Sequence, residues 1–416
     1  MSIDDCFAID QRLLSLADAF TLIAERVEPV TGTETLALAD CAGRVLAEPL
    51  TASVTQPPFD NSAMDGFAVR LSDLEGGRRR LPVAARIAAG HPHDGALPAG
   101  SAVEIFTGAP LPAGFDTVVM TEDARRDGDF VILPETVKPH AHVRKAGIDF
   151  TAGAPVLAPG RRLRPQDIGI AAAAGATRLV VRKRLKVGLF STGDELVAPG
   201  TTPKPGQIFD SNRPMLRAAL LAMGFQVTDL GHLPDRPDAL TTAFGLAALD
   251  QDALISSGGV SVGGEDHVRA AIESLGQIFF WKLALKPGKP LALGHIGGAA
   301  FIGLPGNPVS SLISLLVVGR SVLHRLAGAP DDAAFPAGLL VPAGPGLGVP
   351  GNRVNFLRGA LGEHEGRLSA LPYFSQDSSL ISSLTGSSGL IELAAGDKPI
   401  AAGTPVTFRA YESLMR

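Results

Sequence analysis

The chain has 416 residues, which is too long for one ordinary hydrophobic core and predicts several domains. Its formal net charge of -5 at pH 7 argues against the strongly basic surface that nucleic-acid binding requires. Cys6 and Cys41 alone cannot build a disulfide framework or a cysteine metal site, and the sequence shows neither a signal segment nor an apolar run of about 18 residues. We therefore expect a cytoplasmic protein.

The first predicted element is a helix, because apolar residues recur at helical spacing within residues 11–27. Residues 51–142 contain short β-like runs such as "SAVEIF" and "DFVIL", separated by Pro-Gly and Asp-Gly turn signals, so a β-rich module is predicted. In this module "RDGDF" is predicted to be a hairpin turn. An alanine-rich helix and a strand follow in residues 160–182, and we expect that helix to pack against the first one.

From residue 183 to residue 328, strand and helix patterns alternate along the chain. This alternation predicts an α/β domain with a doubly wound, mostly parallel sheet. A connector rich in Pro, Gly and Ala, residues 329–351, leads to a tail whose "RVNFLRG", "LIEL" and "PVTFRA" are typical of strands.

Ligands of open α/β sheets bind beyond the carboxyl ends of the strands, so the loops at those ends are the first place to look for a site. Here the loops are polar: "STGDE" begins at Ser191, Asp235 follows the next strand, and "GGVSVGGED" and "PGNP" follow two later strands. The glycines of "GGVSVGGED" allow close backbone approach to a phosphate, and the predicted helix start at Asn307 and Pro308 indicates a second anion cradle.

Charged residues complete this predicted site. Lys282, Lys286 and Lys289 cluster around "KPGK" and are expected to face an anion, although surface lysines are by default solvated. Glu195, Asp235 and Asp266 supply the hard oxygen ligands that suit magnesium beside phosphate. The sequence thus predicts a pocket for a metal ion and a polyanion, and it contains neither a Walker loop nor a dinucleotide fingerprint.

Two segments allow a different interpretation. "GVSVG" satisfies the Gly-x-Ser-x-Gly pattern, so Ser261 could be the nucleophile of a serine hydrolase, although nothing places an acid and a histidine beside it. "QPPFDNSAMDGFAV" places Asp60, Asn61 and Asp65 after a double proline, and turn chemistry alone would explain such a loop.

Six motifs together resemble the MoeA family of molybdopterin molybdenumtransferases, which is related to the E domain of gephyrin. They occur in the expected order over nearly the whole chain and are "PPFDNSAMDGFAV", "IFTGAPLPAGFDTVVM", "STGDEL", "SSGGVSVGGED", "WKLALKPGKP" and "GLPGNPVSS". The resemblance implies an elongated homodimer whose active cleft is shared between subunits. It divides each chain into a helical dimerisation domain (1–50 and 143–182), the β-rich module (51–142), an α/β molybdopterin-binding-like domain (183–328) and a C-terminal β-barrel-like domain (335–416).

The resemblance also implies a reaction: magnesium-dependent insertion of molybdate into adenylylated molybdopterin, with release of AMP. It implies catalytic roles for Asp60, Asp235, Lys286 and Lys289, and magnesium ligation by Glu195 and Asp266. The residues expected to bind substrate are Thr107, Ser191, Gly258, Gly259, Ser261, Lys282, Pro305, Gly306, Asn307 and Pro308. On this interpretation the partner subunit's cleft receives the Asp60 loop, and neither nucleic acid nor membrane is a partner.

The chain departs from the family pattern at Phe67, Ile148, Gly264 and His267, where Tyr, Glu, Glu and Tyr are usual. These changes leave a divergent paralogue open. A molybdopterin adenylyltransferase-like enzyme and a non-catalytic scaffold of the gephyrin E type are the alternative functions. The adenylyltransferase needs only the α/β domain, whereas this chain carries the surrounding domains, and its full set of acids and lysines argues against a pure scaffold.

Overall fold

The computed structural model describes residues 13–259, 267–287 and 291–415. The first strand, β1 (Leu13–Leu14), leads directly into helix α1 (Leu16–Arg26). Ser15 caps this helix by accepting a hydrogen bond from the Asp18 backbone N–H at 3.1 Å. The helix buries Leu16, Ala19 and Ile23 on one face.

The sequence had suggested that helix α1 packs against the alanine-rich helix, and the structure shows that it does not. Strand β1 pairs in parallel with a strand of the α/β domain, and the Ala284 N–H donates to the Leu14 carbonyl at 2.8 Å. The buried face of α1 lies in the same core cluster as Val187 and Leu316. Residues 14–27 therefore pack with the α/β domain rather than with the rest of the 1–50 segment, because the apolar stripe of α1 is buried in that core and β1 extends its sheet.

A small paired region and the β-rich module follow α1. Their elements are, in chain order, β2 (Thr33–Ala37), β3 (Leu50–Thr51), β4 (Asn61–Ser62), β5 (Gly66–Val69), β6 (Arg80–Ile87), β7 (Ala102–Ile105), β8 (Thr117–Met120), β9 (Arg125–Asp127), β10 (Phe130–Ile132), β11 (Val143–Arg144), β12 (Pro155–Leu157), α2 (Pro165–Ala173) and β13 (Arg178–Arg182). The alanine-rich α2 packs beside the antiparallel pair of β2 and β13, with Ala171 in the core of Leu179 and Val181.

The β-rich module is a sheet with strand order β8-β5-β7-β6-β10-β9. Alternate side chains of β5 point to opposite faces, so Phe67 and Val69 enter one core and Ala68 the other. The hairpin in "RDGDF" is present, since Asp127 pairs with Phe130 and Gly128 adopts a φ of 57°.

The second half of the chain alternates strands and helices and then ends in strands. Its elements are β14 (Lys186–Thr192), β15 (Leu196–Val197), β16 (Ile208–Phe209), α3 (Asn212–Ala222), β17 (Gln226–Leu233), α4 (Pro237–Ala248), β18 (Ala253–Ser257), α5 (His267–Leu275), β19 (Gly276–Leu283), β20 (Leu285–Lys286), β21 (Leu291–Ile296), β22 (Ala299–Leu304), α6 (Pro308–Ser314), α7 (Arg320–Leu326), α8 (Pro330–Ala333), β23 (Leu339–Pro342), β24 (Val354–His364), β25 (Arg367–Pro372), α9 (Ser382–Thr385), β26 (Gly389–Leu393), β27 (Pro405–Ala410) and α10 (Tyr411–Leu414).

The α/β sheet has the order β1-β19-β21-β22-β18-β14-β17, with separate cores on its two faces. Strands β17, β14, β18 and β22 are parallel, as expected, but β21 is antiparallel to both of its neighbours. The sheet is therefore mixed. The reason lies in the turn at Gly297 and Gly298, because a two-residue connection permits only an antiparallel hairpin between β21 and β22.

Helices α6 and α7 are joined by a π-helical turn, Leu315–Gly319, into one helix. This helix, Pro308–Leu326, is long and apolar enough to span a membrane by length and composition, although the sequence had not suggested such a run. In the structure 94% of its apolar window is buried inside the protein. It is the central helix of the larger core cluster, which explains its apolar composition.

The C-terminal strands form a sheet with the order β20-β24-β26-β27-β23, and β25 also pairs with β24. A bridge between Ala343 and Ala370 links the end of β23 to β25 and closes this sheet on itself. Strand β20 comes from the α/β domain and pairs in parallel with β24, so Lys286 lies opposite Asn355 at the junction of the two domains.

The position of α1 leads to the first prediction. Ile23→Ala removes a side chain that is 1% exposed, and we expect it to destabilise the α/β core by about 2–5 kcal/mol. Trp281 is the single tryptophan of the chain and lies in the same core cluster, so its fluorescence in a denaturant titration reports this unfolding. Leu249→Ala is the control, because Leu249 is 84% exposed. An unchanged Trp281 midpoint in the Ile23 variant would contradict this packing.

Candidate functional site

The loops after four parallel strands meet at the carboxyl edge of the α/β sheet. The Gly258 N–H donates to the Leu304 carbonyl at 3.1 Å, which joins the loop after β18 to the end of β22. A Cβ atom on Gly258 would lie 3.1 Å from the Thr192 carbonyl, and one on Gly306 would lie 3.9 Å from the Gly258 Cα. The ends of β14, β18 and β22 are thus in direct contact.

Gly259 shows why glycine is needed at this meeting point. Its φ is 70°, and an added Cβ would lie 2.3 Å from Thr192 Oγ1 and 2.6 Å from a methyl group of Val268. Any larger residue would push β14 away from the start of α5. The predicted close approach of backbone at Gly258 and Gly259 is therefore present, whereas Ser261 and Asp266 lie outside the described residues.

Several buried polar atoms at this edge have no hydrogen-bond partner among the described residues. They are Thr192 Oγ1, Ser257 Oγ, Asn212 Oδ1, Asp235 Oδ1 and Ser311 Oγ. They come from the ends of β14 and β18, the start of α3, the loop after β17 and the first turn of α6. Protein interiors rarely leave such atoms unpaired, so this edge is suited to a polar ligand and its bound water.

Ser191, one of the predicted substrate ligands, is already engaged. It is fully buried, and its Oγ donates to Asp210 Oδ2 at 2.7 Å. Arg213 Nε binds the same carboxylate oxygen at 2.9 Å and donates from NH1 to both oxygens of Asp229, at 2.6 and 2.7 Å. Burial alone would raise the pKa of Asp229, but its hydrogen bonds with Arg213 prevail and hold that pKa below its ordinary value. Ser191 thus anchors the end of β14.

Sequence reasoning missed Asp210 and Asn212. Asn212 Nδ2 donates to the Gly306 carbonyl at 2.6 Å, which ties the start of α3 to the loop after β22. The short polar run "FDSN" between a strand and a helix was the signal that could have drawn attention to both residues.

Asp235 and Glu195 lie on adjacent strand ends. Thr192 pairs with Leu233, and the His232 Nε2 atom lies 2.9 Å from the Gly193 carbonyl, so the two loops run side by side. Glu195 is exposed, and its carboxylate lies against Gly193, where a Cβ would be 2.6 Å from Oε2. Within the described residues no three His, Cys, Asp or Glu side chains are grouped as a metal site.

These oxygens nevertheless fit magnesium. Mg²⁺ is typically held by one or two carboxylates together with water and substrate phosphates, so a closed protein cage is not required. Asp235 offers a buried oxygen without a partner among the described residues, and Glu195 offers an exposed carboxylate in the loop of the adjacent strand end. The candidate metal ligands are therefore hard carboxylate oxygens, and the exposed one is open to solvent.

The lysines occupy the same edge of the sheet, toward the C-terminal domain. Lys282 and Lys286 are both exposed, and Lys289 lies outside the described residues. Strand β19, which carries Lys282, is separated from β22 by β21 alone, a distance of about 10 Å at normal strand spacing. A phosphate-bearing ligand of ordinary length can therefore reach from the glycine loops to these cations.

The loop Pro305 to Pro308 begins the central helix as predicted, with Asn307 at the N-cap and Pro308 in the first turn. The Asn307 side chain does not cap the helix, however. Its Nδ2 donates to Ser378 Oγ at 3.1 Å, and the Val309 N–H donates to the Ser378 carbonyl at 3.4 Å. The buried Arg358 supports that loop by donating to the Asp377 carbonyl at 2.9 Å. The C-terminal domain thus holds one wall of the site.

The β-rich module arranges its acids for two different tasks. Asp65 Oδ1 accepts from the Thr107 N–H at 2.7 Å and from Thr107 Oγ1 at 2.8 Å, so it fixes the orientation of Thr107. Asp60 accepts from Lys145 Nζ at 2.7 Å and from the Ala146 N–H at 2.9 Å. The Lys145 hydrogen bond is the main cause of an Asp60 pKa below its ordinary value, and Asp60 is ionised at neutral pH.

Asp60 and Thr107 do not meet the carboxyl-edge site within one chain. Every hydrogen bond that either side chain makes to a described residue stays inside residues 60–146. The structure of the single chain therefore places the described α/β residues of the predicted site at one edge of the sheet, adds Ser378 of the C-terminal domain, and leaves Asp60 and Thr107 separate.

Comparison with known proteins adds to this geometry. The MoeA N-terminal region (domain I and II) matches residues 14–175, a probable molybdopterin binding domain matches residues 188–325, and the MoeA C-terminal region (domain IV) matches residues 345–410. A molybdopterin molybdenumtransferase from Haemophilus influenzae is 38% identical over 97% of this chain and 100% of its own length. One from Synechococcus elongatus is 36% identical over 94% of this chain and 97% of its own.

A solved structure agrees with the fold over the same extent. The molybdopterin biosynthesis moeA protein from Pyrococcus horikoshii OT3 superposes with a TM-score of 0.80 and 25% identity, covering 96% of this chain and 100% of its own. Fold and site therefore define a multidomain protein whose α/β domain is of the molybdopterin-binding type. The chain belongs to the MoeA family of molybdopterin molybdenumtransferases, enzymes of molybdenum cofactor biosynthesis.

The contact between Asp60 and Lys145 leads to a second prediction. In Lys145→Gln, the Asp60 pKa should rise toward its ordinary value, because the strongest interaction with its ionised form is lost. In the parent chain the ion pair contributes stability at neutral pH, and this contribution disappears as the pH falls through the lowered pKa. NMR titration of ¹³C-labelled aspartate measures the pKa directly. Lys138→Gln, an exposed lysine of the same module, should leave it unchanged.

Proposed function

We propose that this enzyme inserts molybdate into adenylylated molybdopterin, with magnesium bound and AMP released. The observation that carries the proposal is the carboxyl edge of the α/β sheet. There, buried polar atoms without a partner among the described residues surround a glycine-lined backbone junction, and the exposed Lys282 lies on the second strand beyond β22. The buried polar atoms suit an uncharged polar ring system, and the lysines suit its phosphates and an oxyanion.

The substrate is held from three sides in this proposal. Gly258, Gly259 and Ser261 form the phosphate loop after β18, and Pro305, Gly306, Asn307 and Pro308 form the second wall. Ser191 acts through its bond to Asp210, which fixes the end of β14. Ser378 is added to this set because it holds Asn307.

Charge neutralisation is the task of the lysines. Cleavage of the phosphoanhydride of adenylylated molybdopterin breaks a P–O bond, and negative charge develops on the departing AMP oxygen. Lys286 and Lys289 would offset that charge, while Lys282 would hold the tetrahedral molybdate dianion. Exposed ammonium groups suit this role because they can follow a ligand whose charge moves during the reaction.

Glu195 and Asp266 are the residues that would hold magnesium. When bound, the ion would neutralise phosphate oxygens and orient them. Asp235 keeps a buried carboxylate oxygen without a partner among the described residues, so it is also placed to orient an attacking water or accept its proton.

Asp60 and Thr107 would complete the site from a second subunit. Exposed apolar side chains flank Asp60, namely Phe59, Met64 and Ile148, with exposures of 44, 43 and 69%. A closed twofold dimer would cover such a surface and bring the Asp60 loop to the partner's lysines. In this arrangement Asp60, which Lys145 and the Ala146 N–H hold in its ionised form within its own chain, would also serve the partner's site.

A third prediction concerns the reaction. The pure enzyme with adenylylated molybdopterin should release AMP only when both molybdate and magnesium are present, and chelation of magnesium should stop release until the ion is restored. Lys286→Gln should lower the rate about 100-fold or more, because it removes a cation from the developing charge. Lys204→Gln, which removes an exposed lysine elsewhere, should not. Molybdate-independent AMP release at the same rate would contradict the proposal.

A fourth prediction tests the shared site. Asp60→Ala and Lys286→Ala should each be inactive alone, but co-expression of the two variants should restore about a quarter of the activity. Half of the dimers formed would be mixed, and each mixed dimer would hold one intact site of two. Mixing the purified variants without subunit exchange is the control. If co-expressed dimers stay inactive while size-exclusion chromatography shows that they form, Asp60 does not act across the interface.

A further inference from the structure

A second cluster of charge lies far from the site described above. Five cationic side chains, Arg44, Arg162, Arg182, Lys183 and Arg184, line one small pocket, which we call the basic pocket. Arg182 ends β13, and Lys183 and Arg184 lie in the link from β13 to β14. The pocket therefore lies where the antiparallel pair of β2 and β13 joins the α/β domain. Its floor includes Gly224 and Phe225, just before β17 begins.

The basic pocket is at the opposite edge of the α/β sheet from the proposed active site. Arg184 precedes the first residue of β14, whereas the active-site loop follows the last one, Thr192. A strand of this length spans roughly 20 Å. The basic pocket is therefore separate from the carboxyl-edge loops and cannot hold the same phosphate group.

Two of the five cations are neutralised by carboxylates. Arg44 NH2 lies 2.5 Å from Glu34 Oε1, and Arg162 pairs with Asp332. The other three have no ion-pair partner among the described residues: Arg182 donates to the Thr31 carbonyl at 3.0 Å, Arg184 donates to the Gly224 carbonyl at 2.8 Å, and Lys183 shows no side-chain bond. The pocket thus carries an excess of positive charge.

The fold holds these like charges together against their repulsion. A Cβ on Gly224 would lie 2.6 Å from Arg162 NH1 and 3.7 Å from Arg184 NH1, so glycine at this position lets both guanidinium groups approach. Burial and the charges of Arg44 and Arg162 lower the pKa of Arg184 from its ordinary value. Such a concentration of cations is unfavourable unless an anion offsets it, and several of their N–H donors remain available to one.

We propose that the basic pocket binds a tetrahedral oxyanion, either free inorganic phosphate or the terminal phosphate of a phosphomonoester. Guanidinium forks from Arg182 and Arg184 can each donate two hydrogen bonds to such a group, and Lys183 supplies a third charge. Bound at the link between β13 and β14, the anion would connect the antiparallel pair of β2 and β13 to the α/β domain. This role is independent of the catalytic reaction.

The experiment uses a chain in which the proposed active-site cations are removed by Lys282→Gln, Lys286→Gln and Lys289→Gln, so that binding there cannot be confused with binding in the basic pocket. Equilibrium dialysis with radiolabelled inorganic phosphate should show about one phosphate per chain. Adding Lys183→Gln with Arg184→Gln should weaken phosphate affinity about tenfold or more, because two charged donors are lost. Circular dichroism and the unfolding temperature without phosphate check that the variant folds.

The matched control is Arg178→Gln with Lys204→Gln in the same background. It removes two positive charges from exposed side chains outside the basic pocket, and phosphate affinity should remain unchanged. Competition by glycerol 3-phosphate or by sulfate shows which form the pocket prefers, and displacement by either supports the proposal. Absence of phosphate binding in the active-site background, or equal weakening by the control pair, would overturn it. Neither result depends on whether the chain releases AMP.

Discussion

The rest of this structure depends on the close contact between the ends of three parallel strands. Glycine at positions 258 and 259 allows the loop after β18 to lie directly on Thr192 and beside Leu304. Because no side chain separates these backbones, the polar ends of β14, β18 and β22 enclose one small region instead of three separate loops. That contact positions Gly258, Gly259 and Gly306, three of the groups proposed to bind substrate.

Two polar networks hold this region from outside. Asp210 links Ser191 to Arg213 and Asp229, and Asn212 links the same helix start to Gly306. On the other side, Ser378 of the C-terminal domain holds Asn307. Fixed surroundings of this kind leave the unpartnered atoms of the site oriented before a ligand arrives, which lowers the cost of ordering them on binding.

The β-rich module follows a different principle. Asp65 is used locally to orient Thr107, whereas Asp60 stays ionised at the surface beside exposed apolar residues. Turn chemistry therefore accounts for Asp65, which supports the loop, and the presentation of Asp60 to a partner subunit stays a prediction. Comparison with MoeA proteins over the whole chain is consistent with a single functional unit built from all of these parts.

The sequence alone determined the alternation of strands and helices in residues 183–328 and the close backbone approach at Gly258 and Gly259, because strand and helix periodicity and glycine spacing are local properties. Only the tertiary structure decided where the pieces pack. The apolar stripe of α1 does not specify its partner, and in the folded chain it packs into the core cluster that contains Leu316. The reversal of β21 and the contacts of Asp210, Asn212 and Ser378 likewise depend on residues far apart in the chain, and local patterns contain no information about such pairs.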